Sequence, residues 1–227
     1  MTAWHVYGIL GQQPRDLKLE GLHGAPVHVL GGPNVWALAS EVTTGPNVIP
    51  TNALDPIMHH KVIEAALERF DVLPARFTAP IEHRLLLNRL EADSAKHLSA
   101  LARIRGSLEF GIRAQIDPGL PPVVGGLEQP VRSSGRAYLE SRREEFKAEQ
   151  VARSELECLA RELERALPAL EWSHRFPEPG LYRGSALVPK AKLLEFRMAF
   201  MKLEFEPVPS LHGPFPAYSF ASVGGLS

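Results

Sequence analysis

Nine histidines are the residues of this 227-residue chain with the widest chemical reach, as metal ligands or as acids and bases. Their spacing does not assemble them. His59 and His60 are adjacent, and successive helical side chains point about 100° apart, so they cannot chelate one ion as an i,i+4 pair could. The chain has no Cys-x-x-Cys, no His-x-x-x-His and no acidic run with calcium-loop spacing. His59 falls on the apolar face of a predicted helix and reads as a core histidine with a hydrogen-bond partner. Cys158, the one cysteine, lies beside Leu156 and Leu159 inside a predicted helix, so a packed or half-buried inert thiol is expected. Gly-x-Ser-x-Gly is absent, and Gly8-Ile9-Leu10-Gly11 and Gly31-Gly32 complete no phosphate-binding fingerprint. Glu109 and Arg113 share the polar face of a predicted strand and read as a structural pair. An enzyme would have to use His59 or His174 as acid or base, in an enclosed pocket with a carboxylate or a metal. A ligand-binding module would need a small-molecule site between domains. Neither reading finds a converging constellation, and no catalytic residue, metal or cofactor is expected.

Composition narrows the partners. A formal net charge of −1 gives no overall positive field, which disfavours nucleic acid or an anionic membrane. Hydrophobic content of 44 % is enough for a sizeable core. One cysteine cannot form an intrachain disulfide, which fits a reducing compartment. The first ten residues lack the Lys or Arg that opens a secretory signal, and no apolar run approaches the roughly 20 residues of a membrane span. A cytoplasmic protein is expected.

Periodicity supplies the elements. Residues 4–10 read as a buried strand, 16–22 as a short helical turn, and 27–30 and 35–41 as a hairpin around Gly31-Gly32-Pro33-Asn34. Residues 43–52, with two prolines, read as loop. Asp55 as N-cap and Pro56 at the first helical position open a helix whose apolar face is His59, Val62, Ile63, Ala66, Leu67 and Phe70. Residues 72–77 read as a short strand. A second helix is predicted from Thr78 and Pro80 to Arg105, burying Leu86, Leu90, Leu98 and Leu101 and ending at Gly106. Leu108, Phe110, Ile112, Ala114 and Ile116 alternate with polar or small residues, the clearest strand signal in the chain. A loop at 117–134 precedes a charged helix at 135–167, with Ala152, Leu156, Leu159, Leu163 and Leu167 as its stripe and Glu149–Arg153 and Glu157–Arg161 as supporting pairs. Its first half, with Phe146 nearly alone, should project or bend. Strands at 170–176 and 182–188, a helix at 190–204 and a tail from 208 complete the chain. From Leu108 the order is strand, helix, strand, strand, helix, strand, the ferredoxin-like split βαβ order. The fold class is therefore α+β with two domains: a looser α+β arrangement at 1–105 and a ferredoxin-like domain at 106–227 carrying an extended tail at 211–227. A boundary within 117–134 is the alternative.

Two stretches carry surplus apolar surface. On the helix at 190–204, Leu194, Met198, Met201 and Phe205 form one stripe, and Leu193, Phe196, Phe200 and Leu203 another. Such a helix is either buried on both sides or keeps one side as a partner-binding patch, since methionine-rich surfaces adapt to apolar ligands. In the tail, Pro214 and Pro216 withhold two backbone donors, which restricts it to an edge strand or an extended arm. Phe215, Tyr218 and Phe220 require that arm to dock.

Taken in order, six segments resemble the gas vesicle protein F/L family (GvpF/GvpL): Val6-Tyr7-Gly8-Ile9, His59-His60-Lys61-Val62-Ile63-Glu64-Ala65, Val72-Leu73-Pro74-Ala75-Arg76-Phe77, Gly106-Ser107-Leu108-Glu109-Phe110-Gly111, Gly135-Arg136-Ala137-Tyr138-Leu139 and Gly213-Pro214-Phe215-Pro216-Ala217-Tyr218-Ser219-Phe220. The match spans most of the chain. It departs at Thr78-Ala79, where the family commonly has Gly-Thr, and at Phe215 and Ala217, where it commonly has Trp and Pro; subtypes F and L both stay open. The resemblance implies an accessory or minor structural protein of gas vesicles. Such proteins bind the small hydrophobic shell protein GvpA, and other accessory proteins in some cases, assist shell assembly and turn nothing over.

Overall fold

The computed structural model describes residues 2–43, 54–117 and 135–221. Of the loops expected at 43–52 and 117–134, residues 44–52 and 118–134 lie outside the described residues, as does the tail beyond 221. The chain divides into two compact units, Met1–Glu109 with Pro214–Ser227, and Phe110–Gly213. From Pro214 onward the tail, which the sequence groups with 106–227, is counted with the first unit.

In the first unit, β1 (Thr2–Leu10) is central. It pairs antiparallel with β3 (Trp36–Thr43), which pairs with β2 (Val27–Gly31) across a turn matching Gly31 to Trp36. On its other side β1 meets two short strands, β4 (Val72–Pro74) at Gly8–Leu10 and β5 (Ile81–Glu82) at Ala3–Trp4. The strand expected to run to Phe77 thus stops at Pro74; the Ala75 N–H still bonds β1, and residues 76–80 leave the sheet before β5 rejoins it. Helix α1 (Asp55–Leu67) covers the sheet face that carries His5 and Tyr7, whose rings meet His59. Helix α2 (His83–Ala92) covers the face of Trp4, which meets His83.

Three expectations change here. Asp55 is the first helical residue rather than the cap, Leu54 holds the cap position, and Asp55 is buried within 3.7 Å of His23. The helical turn expected at 16–22 is a 3-10 turn at Leu22–Gly24. The single helix from Thr78 to Arg105 is two, α2 and α3 (Ser94–Ile104), broken at Asp93. Asp and Ser compete locally for backbone groups, which makes Asp93-Ser94 a weak point in a helix. After the break Leu98 turns outward, while Leu86, Leu90 and Leu101 are buried as expected. Gly106, at φ 65°, closes α3 in a left-handed conformation that favours glycine, and its N–H donates to Asp71 Oδ1 at 2.9 Å.

The second sheet runs β7-β8-β6-β9, from β6 (Ser107–Gln115), β7 (Glu171–Glu178), β8 (Leu181–Pro189) and β9 (Ser210–Phe215), with α4 (Gly135–Ala166) after β6 and α5 (Leu193–Met201) after β8. β9 is an outer strand, the place open to a segment containing Pro214. The expected stripe of α4, Ala152 to Leu167, is buried, and its four leucines join Phe110, Ile112, Tyr182, Val188 and Phe196 in one core. Tyr138, Leu139, Phe146 and Val151, in the other half of α4, are exposed. Its ion pairs include Arg136–Glu140, Arg142–Glu145 and Arg153–Glu157, so Arg153 reaches forward to Glu157 at 3.0 Å rather than back to Glu149. Cys158 is exposed, with Sγ 3.8 Å from Glu162, which corrects the packed thiol expected from its leucine neighbours.

Candidate functional site

Two polar constellations in the first unit involve family-motif residues. In the first, His5 Nε2 lies 2.8 Å from His59 Nδ1, and His59 Nε2 lies 2.9 Å from the Ala75 carbonyl. Both rings are buried, with Tyr7 and Phe77 packed edge-on or tilted against them. Burial pushes the His5 pKa down to about 4, helped by the neighbouring His59, and burial likewise lowers that of His59. Tyr7 sits at the β-bulge of β1, where its hydroxyl bonds the Leu22 N–H at 2.8 Å and Ser40 Oγ at 3.1 Å. A Cβ at Gly21 would collide with that hydroxyl, so only glycine leaves room for it. His59 is the expected core histidine. His5 is the partner that sequence reasoning missed, although it shares the strand parity of Tyr7.

The second constellation clasps the C-terminal arm. Glu109, expected on a polar strand face beside Arg113, is buried instead. Its carboxylate accepts the Ser219 N–H at 2.7 Å and the Ser219 hydroxyl at 2.6 Å. The Tyr218 hydroxyl lies 3.2 Å from His60 Nδ1, and the two rings stack. Burial, with Glu64 and Glu109 nearby, pushes the Tyr218 pKa up to about 12, which keeps the phenol a donor. Phe220 is buried, with the Arg103 guanidinium over its ring, and Ala217 and Pro216 are buried beside it. Phe215, expected to dock, sets its ring edge-on to His60 with centroids 6.1 Å apart and stays partly exposed. Leu73 and Pro74 are buried in β4, and Arg76 is exposed. Gly213 adopts φ 109°, and Gly111 lies opposite His212 on the neighbouring strand.

In the second unit α5 has two unlike sides. Phe196 is fully buried and stacks on Phe110, with ring centroids 4.9 Å apart. Leu194, Met198 and Met201 are 72 %, 52 % and 81 % exposed. Phe205, assigned to the same stripe, packs against the core instead, because α5 ends at Met201 and the chain turns inward. His174 bonds the Tyr182 hydroxyl at 3.0 Å and approaches Glu164 at 3.7 Å, but that carboxylate is largely exposed. His59 has both ring nitrogens engaged by His5 and Ala75, so neither it nor His174 presents a free nitrogen to an enclosed, carboxylate-lined space. Among the described residues no group of three or more His, Cys, Asp or Glu could hold a metal ion. None of the described helices is long and apolar enough to cross a membrane.

The family model described as gas vesicle synthesis protein GvpL/GvpF matches residues 3–222. The chain belongs to the GvpL/GvpF family. Two crystal structures share its fold. GvpF from Anabaena sp. PCC7120 aligns with a TM-score of 0.76 at 18 % identity, covering 99 % of this chain and 98 % of that one. GvpF from Microcystis aeruginosa aligns with a TM-score of 0.67 at 17 % identity, covering 97 % and 99 %. No curated protein matches the chain. Within the GvpL/GvpF fold, the motif residues His59, Leu73, Pro74, Glu109 and Phe220 are buried in the first unit, with Phe77 and Ser219 half-buried, whereas Tyr138 and Leu139 stand exposed on α4.

Proposed function

We propose that this GvpL/GvpF chain is an accessory or minor structural protein of cytoplasmic gas vesicles that binds the hydrophobic shell protein GvpA and assists assembly. The observation that carries the reading is α5, with Phe196 anchored in the core while Leu194, Met198 and Met201 face outward. An aggregation-prone subunit needs an apolar contact to stay soluble before it polymerises, and flexible thioethers adapt to such a surface. The outer strands β7 and β9 offer a second mode, addition of a partner strand. We read the second unit as ferredoxin-like on its element order, β6-α4-β7-β8-α5-β9, and its strand order β7-β8-β6-β9. Co-purification with the shell protein tests the proposal, using wild type and the Met198→Glu, Met201→Glu double variant. Loss of binding by a folded variant supports it; unchanged binding removes α5 from the interface.

A further inference from the structure

The buried pair His5–His59 has more hydrogen-bond positions than protons. His59 Nε2 faces the Ala75 carbonyl and must carry a proton to bond it. His5 also bonds the backbone of Thr78 in a sense that favours its charged form, which a carbonyl acceptor does. With Nε2 of His5 directed at His59, Nδ1 is the nitrogen left for Thr78. The two outer nitrogens thus each face a backbone group and the inner two face each other at 2.8 Å, so in the neutral pair one of the three contacts lacks its proton. Two neutral imidazoles own two protons, whereas three hydrogen bonds need three.

We propose that His5 and His59 act as one acid-responsive unit, sharing a single added proton between their facing nitrogens and separating when a second proton arrives. The first proton completes the hydrogen-bond chain from Thr78 to Ala75. The second places two cations nitrogen to nitrogen with no lone pair between them, which costs far more in a buried site than in water. The two rings tie residues 75–78 to both β1 and α1, so their separation frees that segment. The neighbouring polar groups set the response. Tyr7 comes from β1, Asp55 and His60 from α1, and His23 comes from the 3-10 turn beside Asp55. Arg76 lies in the freed segment and is exposed. The adjacent Ala75 N–H donates to the Tyr7 carbonyl at 2.9 Å and reports the release. Burial lowers both rings below their ordinary range, so the unit is neutral at neutral pH and responds on acidification.

Nitrogen-15 NMR of the full chain with labelled histidine, followed through a pH series, tests the inference. The expected result is a scalar coupling across the hydrogen bond between His5 Nε2 and His59 Nδ1, with both rings titrating over the same pH interval. Below that interval, hydrogen-exchange protection of the Ala75 amide should be lost before the rest of the sheet opens. A second arm replaces His59 by Gln, after which the His5 midpoint should move. Independent titration of the rings without coupling, or an Ala75 amide protected until global unfolding, would overturn the proposal. Both of those readouts come from wild type, so they stand even where His59→Gln does not fold.

Discussion

The first unit and helix α5 of the second use apolar and polar groups in opposite ways. In the first unit the motif residues, Arg76 apart, are turned inward: His59 is sealed by His5, Glu109 by Ser219, and Phe220 lies under Arg103. On α5 the non-motif residues Leu194, Met198 and Met201 face outward while Phe196 on the same helix is sealed. The difference separates two side-chain environments within one family fold. Motif residues that bond one another inside a unit hold its shape and position its tail, whereas a greasy surface on a rigid anchor is available to another molecule. Family resemblance therefore locates the scaffold in this chain, and exposure locates the candidate contact.

The strongest way to break that division is at its anchor. Phe196→Ala should cost about 3–5 kcal/mol, because it removes a fully buried ring and leaves a cavity against Phe110. Urea unfolding reads this directly, and a loss near that expected for a surface change would mean α5 is not seated on the core. Acidification should be the next largest effect. The folded pKa of His5 lies below its ordinary value of 6.5, at about 4, so between those values the unfolded chain binds more protons than the folded one. Stability is then fully present above about pH 6.5 and lost as pH falls toward 4, by roughly 3 kcal/mol for this ring. In a His5→Gln, His59→Gln chain the same acid limb should flatten, and an unchanged limb would assign the loss to other groups.

The legible part of the fold is the part with strong periodicity. The alternation from Leu108 to Ile116, the leucine stripe of α4 and the apolar face of α1 all carry a pattern that burial on one side enforces. What local pattern could not show was set by partners distant in sequence. Glu109 looks solvent-facing beside Arg113 until Ser219, 110 residues later, supplies two donors that make its burial tolerable. His5 looks like an ordinary strand residue until α1 brings His59 to it across 54 positions. The break at Asp93 was hidden because a helix pattern continues through it with the same period. For the candidate contact on α5, the sequence offered two apolar stripes of equal strength; only the packing of Phe196, with Leu193, Phe200 and Leu203 of its stripe against the core, decides which faces inward.

The clasp on the arm sharpens the comparison at smaller amplitude. Glu109→Ala strips the partner from the Ser219 N–H and hydroxyl, both charge-assisted bonds, and should cost about 2–3 kcal/mol. A shift of that size lowers the melting temperature by several degrees in a chain of this length. Limited proteolysis should then cut the arm around Tyr218 before the rest of the chain, and equal resistance in wild type and variant would show that the arm's buried apolar residues and Tyr218 hold it without Glu109. Tyr218→Phe removes only the hydroxyl near His60 and should cost about 1 kcal/mol.

The smallest stability effect should accompany the largest effect on association. Met201 is the most exposed of the three outward residues of α5, so Met201→Glu removes almost no buried surface and should change stability by less than about 0.5 kcal/mol. A carboxylate there must nevertheless be desolvated wherever an apolar partner covers it, and an unpaired buried charge is expensive. Binding to the shell protein should therefore fall by at least tenfold while the unfolding curve stays in place. Phe196→Ala gives the reverse pattern if its residual folded fraction still binds. Should Met201→Glu instead shift the unfolding curve as far as Phe196→Ala, the outward side of α5 would be part of the scaffold, and the division of labour between motif interior and exposed helix would fail at its most direct point.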